Sequence, residues 1–246
     1  VKAAPEAQQR LLDLQELDAA LDRLAHRRRT LPELAEMDRL EARLAELRDV
    51  VVSAETDIAD LDREQSKAEQ DVDQVRLRAD RDQKRLDSGQ VSSAKDLENL
   101  QSEIASLQRR QSVLEEVVLE IMERHETADG RLAGLVEERA AAQAQLTVLG
   151  ERRDTAAKGI DDETGATSAA RTAVAKDVPD DLLALYEKLR GQFGVGAAAL
   201  LRGRCQGCHL ALNTTDLNRI RAAAADEVVR CEECRRILVR TPESGL

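Results

Sequence analysis

The sequence predicts a mainly α protein: a long antiparallel coiled-coil helical hairpin followed by a small cysteine-bearing module at the C-terminal end. Three observations carry that expectation. The 246 residues are 35% charged and 1% aromatic, with one Tyr, one Phe and no Trp, which is too few large rings for an ordinary globular core. Two long tracts of apolar heptads are separated by a single turn segment. All four cysteines lie beyond residue 204.

The first element is a short helix with its own seam, Leu14, Leu17, Leu21 and Leu24. "RRRTLPEL" interrupts it. Thr30 and Glu33 have capping-box spacing and Pro32 sits in the next first turn, so the helix restarts or kinks near 30–33. From Leu40 a 4-3 rhythm runs through Leu44, Leu47, Val51, Ala54, Ile58, Leu61, Gln65, Ala68, Val72, Val75 and Ala79, with Gln65 the one polar member. It stops at "RLDSGQVSS", where Asp87, Ser88 and Gly89 are turn residues and Ser93 with Asp96 opens a new helix; the tip falls near 87–93.

A second seam then runs from Leu97 to Leu149, with Gln111, His125 and Arg139 as polar members. Gln65, Gln111 and His125 read as residues that fix register. Two heptad tracts joined by one tight turn form an antiparallel hairpin, which puts residues around 138 opposite Leu40. At 1.5 Å per residue the arm from Leu40 to Leu86 spans about 70 Å. Residues 150–175 are left to pair with 6–29, and Gly159, Gly165 and "DDETGATS" predict fraying there.

"VPDDLLALYEKLRG" starts a different unit. Pro179, Asp180 and Asp181 mark a helix N-terminus, Gly191 marks its stop, and Leu182, Leu185, Tyr186 and Leu189 share one face. The expected division is a hairpin over 1–177, then a linker helix and cysteine module over 178–246.

The net charge of −11 is uneven. Residues 201–246 hold eight Arg against six Asp or Glu, so the acidity resides in the first 200 residues. An acidic body repels nucleic acid and suits a protein partner. No apolar run approaches a membrane span and no signal-peptide pattern opens the chain, so the expected location is the cytoplasm, where thiols stay reduced.

Cys205-x-x-Cys208 and Cys231-x-x-Cys234 are separated by 22 residues. Each pair can set two thiolates on one side of a tight turn, and two such knuckles facing each other make the tetrahedral sulfur site that suits Zn²⁺. An iron or iron–sulfur site is the alternative for four thiolates. A thioredoxin-type pair lacks its α/β unit, and disulfides would need an exported chain. Four protein ligands leave no open coordination place, so the metal is structural and the protein is not expected to be an enzyme or to have a small-molecule substrate. His209 reads as a surface neighbour rather than a ligand.

Between the knuckles, "TTDLNRIR" reads as a short helix capped by Thr214 or Thr215, with Leu217 and Ile220 inward. Arg202, Arg204, Arg219, Arg221, Arg230, Arg235, Arg236 and Arg240 surround the metal module as candidate contacts for RNA, DNA or a protein partner. Against nucleic acid, the module has no aromatic for base stacking, and Glu232, Glu233 and the thiolates cancel much of its positive charge.

Four blocks, "GQVSSAKDLENLQSEI", "VPDDLLALYEKLR", "GRCQGCHLALNTTDLNRI" and "EVVRCEECRRILV", resemble a bacterial family of four-cysteine zinc-ribbon proteins with an N-terminal coiled-coil hairpin. The resemblance spans nearly the whole chain. It implies that Cys205, Cys208, Cys231 and Cys234 ligate one zinc in a ribbon of short β-strands, and that "SGQVSS" is the hairpin tip. Relatives in that family include flagellar and type III secretion regulators that act as sigma-factor chaperones and RNA binders. The implied role is an adaptor, chaperone-like, that binds protein through the coiled coil and protein or nucleic acid through the ribbon. One position departs: a glycine usually follows the last cysteine, and Arg235 stands there, so a strained or rearranged turn is expected.

Overall fold

The computed structural model describes residues 1–91 and 93–246; Ser92, within the expected tip, lies outside them. Four helices come first: α1 (Pro5–Arg29), α2 (Pro32–Asp87), α3 (Ala94–Ala175) and α4 (Asp180–Phe193). The C-terminal part holds β1 (Ala197–Leu201), β2 (Arg204–Cys205), α5 (Thr214–Ala222) and β3 (Ile237–Val239). The protein is thus mainly helical, with a long hairpin and a small strand region. Its chain divides into two compact units, residues 35–150 and residues 1–34 with 151–246, so the boundary expected at 177/178 falls inside the second of these.

The 35–150 unit is built from most of α2 and the first part of α3. Leu47, Val51, Ala54, Leu61 and Ala79 of α2, with Ile104, Leu107, Ile121 and Ala142 of α3, are its buried seam residues. Arg43 binds Glu138 at 2.6 Å, Arg78 binds Glu103 at 2.7 Å, and Arg124 binds Glu64 at 3.2 Å, which fixes the antiparallel register expected from the heptads. Gln65 and Gln111 do not join the register. Each donates along its own helix, to Glu69 at 2.8 Å and Glu115 at 2.7 Å, the i,i+4 spacing putting an acceptor one turn on within reach. His125 does reach across, to Asp62 at 2.8 Å. At the tip Gly89 takes φ +66°, the left-handed turn that ends α2.

The other unit collects both chain ends. Leu24 of α1 and Leu31 of the link after it pack on Ile160 of α3, and Arg27–Glu163 and Arg28–Asp161 flank that contact. α3 stays helical through Gly159 and Gly165 to Ala175, where fraying was expected; the packing of Ile160, 1% exposed, offsets the weak glycine propensity. Thr30 does not cap α2. It ends α1 instead, its N–H and hydroxyl both donating to the His26 carbonyl, because Leu31 intervenes before Pro32. α4 likewise runs past Gly191 and stops at Gly194, φ +72°, whose N–H donates to the Arg190 carbonyl.

A buried carboxylate ties three helices together. Asp18 of α1, fully buried, accepts from Tyr186 Oη of α4 at 2.6 Å and from Arg171 Nε of α3 at 2.5 Å; Arg171 also pairs with Glu187. Burial, then the bond to Asp18, holds the Tyr186 phenol well above its usual range. Gly196 is required beside this knot, since an added Cβ would lie 2.7 Å from the Tyr186 ring.

The sheet order is β2-β1-β3, with β1–β2 antiparallel and β1–β3 parallel. Alternation along the strands assigns its two faces. Ala197, Ile237 and Val239 join Leu11, Leu14, Leu182, Tyr186 and Leu189 on the helical side. Ala198, Leu200 and Leu238 join Cys205, Cys231, Leu212 and Ile220 on the other. The cysteine module is therefore one half of a sandwich whose second half is α1 and α4.

Candidate metal centre

β2 ends at Cys205 and the chain turns at once through Gln206 and Gly207 to Cys208. The second knuckle, Cys231 to Cys234, leads into β3. The two turns share one backbone pattern. In the first, the Cys205 N–H donates to the Leu210 carbonyl at 3.0 Å and the His209 N–H donates to the Cys205 carbonyl at 2.8 Å. In the second, the Cys231 N–H donates to the Arg236 carbonyl at 3.0 Å and the Arg235 N–H to the Cys231 carbonyl at 2.9 Å. Closing each loop requires a left-handed residue directly after the second cysteine, and His209 (φ +59°) and Arg235 (φ +58°) both comply. The turn at Arg235 is thus strained rather than rearranged.

The four sulfur atoms lie within 4.8 Å of one another, with Cys205–Cys234 at 3.8 Å and Cys208–Cys231 at 3.9 Å. A regular tetrahedron around an ion with Zn–S bonds of about 2.3 Å has edges of about 3.8 Å, so the donor set fits Zn²⁺. Burial pushes the Cys205 thiol up to about 12 and raises Cys231 as well, opposed by backbone N–H groups turned onto both sulfurs. Those buried thiols become ligands only against a dication, which compensates the thiolate charge. The residues present hold the metal on all four sides, and its chemistry there is structural.

Of the arginines singled out in the sequence, four are committed to the chain's own carbonyls. Arg204 donates to His209 O at 3.0 Å and Arg230 donates to Arg235 O at 2.7 Å, so the residue before each knuckle buttresses the strained residue at its end. The repeated "RCxxC" was the sequence signal for this pair. Arg236 donates to Gly207 O at 2.7 Å and stitches one knuckle to the other. Arg240 donates to the carbonyls of Ala223, Ala224, Ala225 and Glu227, closing the C-terminal end of α5. Arg219 pairs with Glu232 at 2.5 Å and Arg221 with Asn218 at 3.1 Å. Arg202 (φ +47°) and Gly203 form the β1–β2 turn, and Arg202 and Arg235 are exposed. Asn213, not Thr214 or Thr215, caps α5, its Oδ1 accepting from the Asp216 N–H at 2.8 Å. His209 is exposed and lies outside the sulfur cluster.

Residues 14–194 match the CT398-like coiled coil hairpin domain, and residues 204–238 match the C4-type zinc ribbon domain. The chain belongs to the CT398-like hairpin family. It is 38% identical over 240 residues to Rv2229c of Mycobacterium tuberculosis, covering 98% of both chains. A solved structure from Mycobacterium smegmatis is similar with a TM-score of 0.85 at 37% identity, over 98% of this chain and 100% of that one. CT398 from Chlamydia trachomatis follows the same fold with a TM-score of 0.70 at 21% identity, over 96% of this chain and 98% of that one. The site is accordingly a C4 zinc ribbon with one structural Zn²⁺. Among the described residues no helix is long and apolar enough to cross a membrane.

Proposed function

We propose that the protein is a non-enzymatic, chaperone-like adaptor of the cytoplasm, binding a protein partner through its hairpin and presenting the ribbon as a second recognition surface. One observation carries this: large apolar side chains stand exposed along α3 within the hairpin unit. Val113 is 58% exposed and Leu119 59%, on helix faces otherwise dominated by charge. Side chains of that kind lower the cost of docking another protein. The resemblance to flagellar and type III secretion regulators supports a partner in secretion or gene regulation.

The reading in which the ribbon binds RNA or DNA rests on arginines able to reach phosphate. With Arg204, Arg230, Arg236 and Arg240 donating to backbone carbonyls, it narrows to Arg202, Arg219, Arg221 and Arg235. Capture from native cytosol on the immobilised full chain, with and without nuclease, separates the two. Protein partners retained after nuclease support the adaptor. Complete loss on nuclease treatment, together with salt-sensitive RNA binding weakened by Arg202→Gln, Arg221→Gln and Arg235→Gln, transfers the function to the ribbon.

A further inference from the structure

Within the hairpin unit one stretch of the α2–α3 seam is incompletely filled. Its α2 side carries Gln65 and Ala68 in succession; Gln65 is turned along its own helix to Glu69, and Ala68 is too short to reach across. Opposite them, Val118 is half-buried, while Leu119 and Met122 are 59% and 47% exposed. The outcome is a shallow groove made of two adjoining depressions that meet at Leu119, with Val72 and Val118 in one and Met122 in the other. Its rim is predominantly acidic: Glu69 and Asp73 from α2, and Glu115, Glu123, Glu126 and Asp129 from α3, with His125, paired to Asp129 at 3.0 Å, the one basic side chain among the described lining residues. No lysine or arginine is among the described residues that line it.

We propose that this groove is the docking site for a basic amphipathic helix of a partner protein. The proposal rests on the adaptor reading and names the chemistry of the partner. Glu115 to Asp129 rise about 21 Å along α3, the length of about four helical turns. Two helices present ridges to a third but no strand edge, so an added helix with apolar residues at i, i+3/i+4 and i+7 is the matching element. The six carboxylates select its polar face: lysine and arginine flanking the apolar stripe are attracted, while phosphate-bearing polymers are repelled. A second copy is disfavoured by the same field, since this chain carries a net charge of −11.

The test uses the full-length zinc-loaded chain and a fluorescent model peptide about four turns long, with leucines on one helical face and lysines on the other. Two control peptides keep the length: one scrambles the leucines off the common face, and one replaces lysine by glutamate. The expected result is binding of the first peptide, at least about tenfold tighter than either control. Leu119→Ala with Met122→Ala should weaken it at least about tenfold with helicity unchanged. Glu115→Gln, Glu123→Gln and Glu126→Gln should weaken it mainly at low salt and flatten the salt dependence. Equal binding of the scrambled peptide, or undiminished binding by the Leu119/Met122 variant, would overturn the proposal, since charge alone would then suffice. Concentration-dependent self-association abolished by Leu119→Ala with Met122→Ala would also overturn it, in favour of a second copy. Nuclease-resistant partner capture that survives the Leu119/Met122 change sinks this groove alone and leaves the adaptor standing.

Discussion

Arg235 occupies a position that ordinary L-residues avoid, and the backbone bonds of the second knuckle hold it there. A left-handed conformation costs a non-glycine residue about 1–2 kcal/mol. Three interactions offset that cost: its N–H bond to the Cys231 carbonyl, the Arg230 guanidinium on its own carbonyl, and the metal the turn encloses. None uses the Arg235 side chain. Replacing it with glycine removes the strain and leaves all three in place, at an entropy cost of about 0.5–1 kcal/mol in the unfolded chain. Arg235→Gly should therefore bind zinc about two- to fivefold tighter in chelator competition. His209→Gly, at the equivalent position of the first knuckle, should behave alike. Weaker zinc binding in both variants would show that these side chains have a role in the turn that geometry does not reveal. The four ligands were legible because cysteine spacing is itself the geometry of a knuckle. The roles of Arg204, Arg230, Arg236 and Arg240 were not, because a guanidinium aimed at phosphate and one aimed at a carbonyl look alike in a sequence.

At the scale of elements, heptads made the hairpin and its register readable, since a/d spacing and arm alignment are one-dimensional properties. Helix ends were read less well. Thr30 and Gly191 carry good end signals, yet α1 and α4 terminate where packing and backbone bonds allow, at Thr30 as a C-cap and at Gly194. The parallel β1–β3 pair was invisible, because its partners are some 40 positions apart and only tertiary contact joins them. One seam contact gives the hairpin a pH signature. His125 of α3 meets Asp62 of α2 at 2.8 Å and Asp129 of its own helix at 3.0 Å. The hydrogen bond to Asp62, aided by the charge of both carboxylates and opposed by desolvation, raises the His125 pKa above its usual 6.5. A group whose folded pKa is raised contributes stability that is fully present below its unfolded pKa and lost as pH rises through the folded value. The hairpin should thus melt at lower temperature as pH climbs from below 6.5 through the shifted value. His125→Gln should remove that component of the slope. An identical slope in the variant would assign the effect elsewhere.

For the whole molecule, zinc matters beyond the knuckles because the sheet is shared. Ala198, Leu200 and Leu238 look toward the cysteines, while Ala197, Ile237 and Val239 on the same strands look toward α1 and α4. Strands of five, two and three residues cannot hold that alternation without the metal fixing their ends. Removing zinc leaves four thiols around a half-core of small size, and the face that covers Leu11, Leu14, Leu182 and Tyr186 loses its support. The buried knot at Asp18 then retains its ion pairs but loses adjacent β1 and Gly196 just before it, whose N–H donates to Gln15 at 2.8 Å. Residues 35–150 have their own seam and cross-arm ion pairs. A strong chelator, or Cys231→Ser, should therefore open α4, α5 and the sheet to proteolysis and hydrogen exchange and loosen α1. Residues 35–150 should stay protected, and far-UV circular dichroism should fall only in part. Proportional loss of the entire helical signal with zinc release would mean that the hairpin depends on the metal. Undisturbed protection of α1 and α4 would mean that the helices hold their side of the sheet without it.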